Sequence, residues 1–455
     1  MYIPLFHRVD RSEWPMLLAS LVLIYIETLI TFITALLPQK VLRLCDHVFA
    51  IVYSQNPVQS FYNLKSFTGV HHSDVEFLNQ VKNAQDFQSL CLLHGYDAQN
   101  HTVKTKDGYI LTLHRIVGDD DREFGSRPVV YLHHGLLMNS EIWVTMINSD
   151  HNLPFVLYQL GYDVWLGNNR GNKYSKKHMW LKPKETKFWD FSIDEFAIHD
   201  IPTAIDYILD CTDQPDLTYI GFSQGTAQGF ASLSIHRELN SKINGMVALS
   251  PAMTPKGLHH PVVDTLMKAS PILMFLFFGR RVLLSSATFW SSVIYPPLFI
   301  KVIDYCNILL FNWYGNNINF DQKVLSYSHL YSSTSVKTVV HWFQIIRNRS
   351  FQMYDDAIGW NIKPRRSAAT KRHNDYVVPT YPTRNIEVPI WLVYGKADSL
   401  VDIEVMLEQL PASENIKAFG VEGYEHLEII WGDGVEQLVF PHVLEFLKTF
   451  KGSSQ

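Results

Sequence analysis

Five residues, Gly221-Phe222-Ser223-Gln224-Gly225, constrain this chain more than any other stretch. They make a G-x-S-x-G pattern, preceded by the apolar run LTYI and followed by TAQGFASLSIHREL, which has helical spacing. A strand must therefore turn at once into a helix, and Gly221 and Gly225 allow the turn to be tight. Such a turn holds Ser223 in a strained backbone conformation with its hydroxyl exposed. The helix that follows points its positive end at any negative charge developing there. The pattern demands a sheet with loops at its strand ends.

The rest of the chain supplies one. From about Phe87 the signals alternate between β and α. His101 to Ile116 reads as two strands joined at Asp107-Gly108, a turn dipeptide. PVVYLHHG, GYDVWLGN, INGMVALSPA, VPIWLVYG and IKAFGVEG read as further short buried strands, and Asp194 to Asp210 has helical spacing. Strands alternating with helices predict an α/β fold, a mainly parallel sheet with helices on both faces. Thr254 to Glu387 breaks the alternation and is too long for a loop. It contains the apolar run Pro271 to Gly279 and the basic stretch Lys363-Pro364-Arg365-Arg366, and it reads as an inserted cap. The expected division is an anchor over 1–40, a linking segment over 41–86, the first part of the sheet domain over 87–253, the cap over 254–387 and the second part over 388–455.

The anchor rests on Met16 to Leu37, an apolar run bracketed by Pro15 and Pro38. As a helix it would be about 33 Å long, enough to cross a hydrocarbon layer of roughly 30 Å. The run exceeds a signal-peptide core, and no small-residue cleavage site ends it. Charged residues are only 18% of the chain, below the roughly 25% of an average soluble domain, which fits an apolar environment somewhere along it. A net charge of −5 gives no general reason to bind nucleic acid. The four cysteines, Cys45, Cys91, Cys211 and Cys306, are far apart, lack metal-ligand spacing and are expected as buried free thiols. His133 and His134 are adjacent on a strand, point to opposite faces and cannot readily share an ion. No G-x-G-x-x-G, Walker A or H-E-x-x-H pattern occurs, so nucleotide and zinc-protease chemistry have no support.

A serine hydroxyl is a poor nucleophile at neutral pH and requires a base and an orienting acid. With the serine on a strand–turn–helix corner, the acid and then the histidine should follow it on loops after later strands. Asp398 lies just beyond the run WLVYG, and His426 just beyond the last strand. Asp402 is a rival acid and Glu425 a weaker one. The oxyanion of acyl transfer also needs donors. The backbone N–H of Gln224 and that of Leu136, in the loop after PVVYLHHG, are the candidates.

The segments YLHHGLL, Gly161 to Ser175, Phe188 to Ile208, GFSQG, GKADSLVD and YEHLEIIWG resemble the acid lipases, the α/β-hydrolases that include gastric and lysosomal lipases. The resemblance runs from about Phe87 to Phe450. HHGLLMNS, Ser250 to Pro271 and the N-terminal apolar run resemble the membrane-anchored fungal steryl ester hydrolases. This implies an α/β-hydrolase fold with a large inserted cap and an N-terminal membrane helix. It implies a triad of Ser223, Asp398 and His426, an oxyanion hole at Leu136 and Gln224, and no metal or organic cofactor. The implied substrate is a steryl ester, with triacylglycerol as the alternative, cleaved at a lipid-droplet surface, with the endoplasmic reticulum membrane as second residence. A catalytically silent membrane scaffold is the rival of a different kind, and the intact order of serine, acid and histidine argues against it. Animal members are secreted behind cleaved signals, whereas this chain keeps its apolar run, so an acidic lumenal setting does not carry over.

Overall fold

Short runs of valine, isoleucine, leucine and aromatic residues form the sheet, and their alternation sorts its two faces. The computed structural model describes residues 72–118, 127–261, 264, 275, 278–283, 296–356 and 377–451. The expected membrane helix at 16–37 and the basic stretch at 363–366 lie outside the described residues, as does most of the run 271–279. Among the described residues no helix is long and apolar enough to cross a membrane.

The strands are β1 (Asp97–Lys104), β2 (Tyr109–Val117), β3 (Val129–His133), β4 (Asp163–Leu166), β5 (Lys177–His178), β6 (Leu217–Phe222), β7 (Ile243–Leu249), β8 (Val282–Leu283), β9 (Thr334–Ser335), β10 (Ile390–Gly395) and β11 (Ile416–Val421). The main sheet has the order β1-β2-β4-β3-β6-β7-β10-β11, with β5 added on β2. The strands from β4 to β11 pair in parallel, while β2 runs antiparallel to both β1 and β4. Every residue of β3, β4 and β6 is buried, as a strand covered on both faces requires. Val130, Leu132, Ile220 and Phe222 face one apolar cluster. Val129, Tyr131, Leu217 and Tyr219 face the other. The last strand departs from the sequence reading. β11 lies at the edge and is mostly half-buried or exposed.

Helices α1 (Ile201–Thr212) and α2 (Gln224–Ile235) pack on one face. The helical stretch before α1 is interrupted by a π-helical turn at Phe196–Asp200, with Ile201 N–H bonded to the Phe196 carbonyl. Pro202 has no N–H to continue the regular ladder, and the Ala197 carbonyl is met by the Ser232 hydroxyl at 2.9 Å.

Residues 250–389 separate β7 from β10, which are nonetheless neighbours in the sheet. Their described part includes α3 (Pro296–Phe311), α4 (Phe320–Leu330) and α5 (Val336–Asn348). Phe299, Ile303, Leu325 and Leu330 join the same apolar cluster as Val130 and Phe222, so α3 and α4 are packed into one face of the sheet domain. Beyond the insertion come α6 (Ile403–Gln409) and α7 (Phe440–Lys451). Of the cysteines, Cys91 is a buried free thiol as expected, but Cys211 and Cys306 are exposed.

Candidate active site

The corner between β6 and α2 has the strained geometry its sequence demands. Ser223 has φ 52° and ψ −121°, and Gln224 begins the helix. A Cβ on Gly221 would lie 2.8 Å from backbone atoms of Gly225 and Thr226. One on Gly225 would lie 2.4 Å from the His133 carbonyl oxygen at the end of β3. Neither position has room for a side chain.

The loop after β3 crosses the serine. A Cβ on Gly135 would come within 3.0 Å of the Cβ of Ser223, so the loop that carries Leu136 passes close against the serine. This loop is held by side chains the sequence does not single out as catalytic. His134 Nδ1 donates to the Gly135 carbonyl at 2.8 Å, and its Nε2 accepts from Asn169 N–H at 3.1 Å. Burial pushes the His134 pKa down to about 4, which keeps the ring neutral in those two roles. Leu137 is in the left-handed region at φ 60°, and its carbonyl accepts from Ser332 N–H at 2.7 Å.

The acid and the histidine meet across the ends of β10 and β11. His426 Nδ1 is 2.6 Å from Asp398 Oδ2, while Asp398 Oδ1 accepts from Leu400 N–H at 2.9 Å. Both side chains are buried. Trp313 stacks on the imidazole with centroids 4.7 Å apart and planes 5° apart, and Phe222 approaches it at 5.3 Å. The Ser250 hydroxyl donates to the His426 carbonyl at 2.7 Å. With Nδ1 committed to the carboxylate, Nε2 is the nitrogen left to exchange a proton.

The two rival acids are engaged elsewhere. Asp402 is the N-cap residue of α6, with Lys256 Nζ 3.9 Å away. Glu425 takes the backbone N–H groups of Tyr314 and Gly315 at 2.8–3.0 Å, tying the insertion to the histidine loop. Burial raises its pKa above the ordinary carboxylate range.

The sequence pattern of the alpha/beta hydrolase fold matches residues 128–433, and that of a partial alpha/beta-hydrolase lipase region matches residues 87–147. The chain belongs to the α/β-hydrolase family. A "Probable lipase" of Schizosaccharomyces pombe is 51% identical to it, the match covering 81% of this chain and 78% of the relative. The gastric triacylglycerol lipase of Rattus norvegicus is 35% identical over 78% of this chain and 89% of its own. The lysosomal acid lipase/cholesteryl ester hydrolase of Macaca fascicularis is 31% identical, with coverage of 78% and 89%. This α/β-hydrolase is a lipase-type carboxylic ester hydrolase.

Several contacts in the site escape sequence reasoning. Trp342 on α5 donates its indole N–H to the Gln224 side-chain oxygen at 2.8 Å, fixing the residue at the start of the α/β-hydrolase's α2. Trp313, Trp342 and Ser250 lie outside any chemical motif, and the two tryptophans come from the insertion. Only the turn signal at Gly315, two residues after Trp313, marks the place in the sequence.

Proposed function

We propose that this lipase cleaves steryl esters to free sterol and fatty acid through an acyl-enzyme on Ser223. His426 takes the serine proton through Nε2 and returns it to the departing sterol, and Asp398 holds the ring in the required tautomer. The N–H groups of Leu136 and Gln224 receive the oxyanion. Water then attacks the acyl-enzyme by the same route. The 2.6 Å contact between His426 and Asp398, together with the φ of 52° at Ser223 on the strand–helix corner, is the observation that carries this reading.

The choice of a steryl ester draws support from the relative whose name includes cholesteryl ester hydrolase. Triacylglycerol is the second reading, favoured by the relative named a gastric triacylglycerol lipase. The insertion is taken as the cap over the acyl site. The enzyme acts at the lipid-droplet surface, held by the apolar run 16–37 among the acyl chains, and resides secondarily in the endoplasmic reticulum membrane. Holding an enzyme at the surface where an insoluble ester collects raises its effective concentration there. The test is lipid analysis of cells lacking the protein, complemented with the natural chain or with Ser223→Ala. Steryl ester should accumulate and be cleared only by the natural chain. Accumulation of triacylglycerol alone would move the function to a general lipase.

A further inference from the structure

The turn after β5 combines exposed aromatic surface with unneutralised positive charge. Residues 176–187, KKHMWLKPKETK, hold five lysines and one acid in a chain whose net charge is −5. Trp180 is 73% exposed and Met179 is 50% exposed. Lys177, Lys182, Lys184 and Lys187 are all exposed, and none makes an ion pair among the described residues. Exposed tryptophan is costly in water and favoured at a membrane interface, where the ring sits at headgroup level.

The turn is built to hold this surface. His178 Nε2 donates to the Asp107 carbonyl at 3.0 Å, and its Nδ1 accepts from both Trp180 and Leu181 N–H at 3.1 Å. Met179 N–H bonds the Gly108 carbonyl at 2.9 Å, and a Cβ on Gly108 would lie 2.8 Å from the Trp180 ring. The tryptophan is thus placed by a fixed backbone over a glycine turn, so little further ordering is needed on binding.

A second segment enlarges the same surface. Leu181 and Val282 pack against one aromatic cluster that includes Phe188, Trp189 and Phe191. Just before Val282, Arg280 and Arg281 are exposed and Phe278 is 45% exposed. Both segments pair apolar rings with cationic heads.

The position suits a surface-acting hydrolase. β2 runs antiparallel to β4, with His114 opposite Leu166, so its start at Tyr109 lies beyond the C-terminal end of β4. β5 pairs with β2 there, at Tyr109 and Ile110. The turn is therefore on the edge of the sheet from which Ser223 and Asp398 emerge. Three strand spacings separate β2 from β6, roughly 15 Å.

We propose that the Trp180 turn and the Phe278–Arg281 segment form a docking surface for a layer of anionic phospholipid headgroups, with Trp180 and Phe278 entering the interface and the lysines and arginines facing the phosphates. Each cation near such a surface contributes a severalfold gain in binding, and the gain falls with salt. This surface uses none of the residues assigned to ester cleavage and none of the apolar run 16–37. The fluorescence test contains no steryl ester or triacylglycerol and reads binding rather than hydrolysis, so its failure is distinguishable from a failure of the steryl ester reading.

The test uses the purified full chain with vesicles of phosphatidylcholine, pure or containing 30% phosphatidylserine, both carrying brominated acyl chains. The fluorescence difference between the natural chain and Trp180→Phe isolates one ring among the chain's tryptophans. That difference should be quenched with phosphatidylserine present, weakly quenched without it, and relieved by high salt. Replacing Lys177, Lys182, Lys184 and Lys187 together by serine should abolish the quenching. On an ester emulsion coated with the anionic mixture it should raise the apparent KM about tenfold or more. Turnover of a soluble short-chain ester should stay unchanged, which guards against misfolding. Equal quenching in both kinds of vesicle, or quenching that survives the four serines, would overturn the proposal.

Discussion

Asp398, and neither Asp402 nor Glu425, makes the bond to His426, and the difference is one of placement rather than chemistry. Asp398 lies three residues past the end of β10 and accepts Leu400 N–H with one oxygen while the other meets His426. Asp402 begins a helix instead, and Glu425 is spent on two backbone N–H groups. Asp398→Asn should therefore lower kcat by about 10⁴-fold, because an amide selects the wrong imidazole tautomer. Asp402→Asn should cost far less. Steady-state kinetics on a soluble ester decide it, and reversed effects would remove Asp398 from the triad. The Asp398–His426 pair was legible because the order along the chain and the ends of strands select the two together. The flanking contacts were not. Trp313 over His426 and Trp342 on Gln224 are made by packing of the insertion, which follows no chemical spacing.

The β6–α2 corner and the loop after β3 act as one piece, because the His133 carbonyl fills the space where Gly225 would carry a side chain. Gly225→Ala should force the two apart, costing about 1–3 kcal/mol of stability in the manner of an overpacked core. It should lower activity more steeply than stability, since the same movement shifts the Leu136 and Gln224 N–H groups. Urea unfolding beside kinetics on a soluble ester would measure both. Retained activity at wild-type level would mean that the corner tolerates displacement. At this level the sequence predicted β6, β7 and β10 well, because short, mostly apolar runs between turn residues have few alternatives. β11 read as buried since IKAFGV is apolar enough, yet lying at the sheet edge leaves it partly open. The π turn was hidden because helical spacing does not report which carbonyl an N–H chooses.

Taken together, the buried histidines set a pH limit on the fold. Burial lowers the pKa of His94 and His134 to about 4 and that of His114 to about 3, from an ordinary 6.5. A ring kept neutral in the fold contributes stability that is complete above pH 6.5 and is lost as the pH falls through 4. Glu425 and Asp200, whose carboxyls are raised by burial, work in the opposite sense and offset part of the loss. The unfolding temperature should decline between pH 6.5 and 4, and a flat profile over that range would contradict the neutral, buried state of these rings. The mainly parallel sheet and the ester-hydrolase chemistry were readable from sequence, whereas the order of the strands was not, because periodicity along a strand does not say which strand lies beside it. The choice of ester is not readable in the same way, because it depends on the width of an apolar space. The decisive measurement is a competition in which the purified full chain meets steryl oleate and trioleoylglycerol in one emulsion, with free sterol and diacylglycerol followed together. Release of sterol should outpace release of diacylglycerol from the first minutes and vanish with Ser223→Ala. Consumption of the triacylglycerol while the steryl ester remains intact would contradict it.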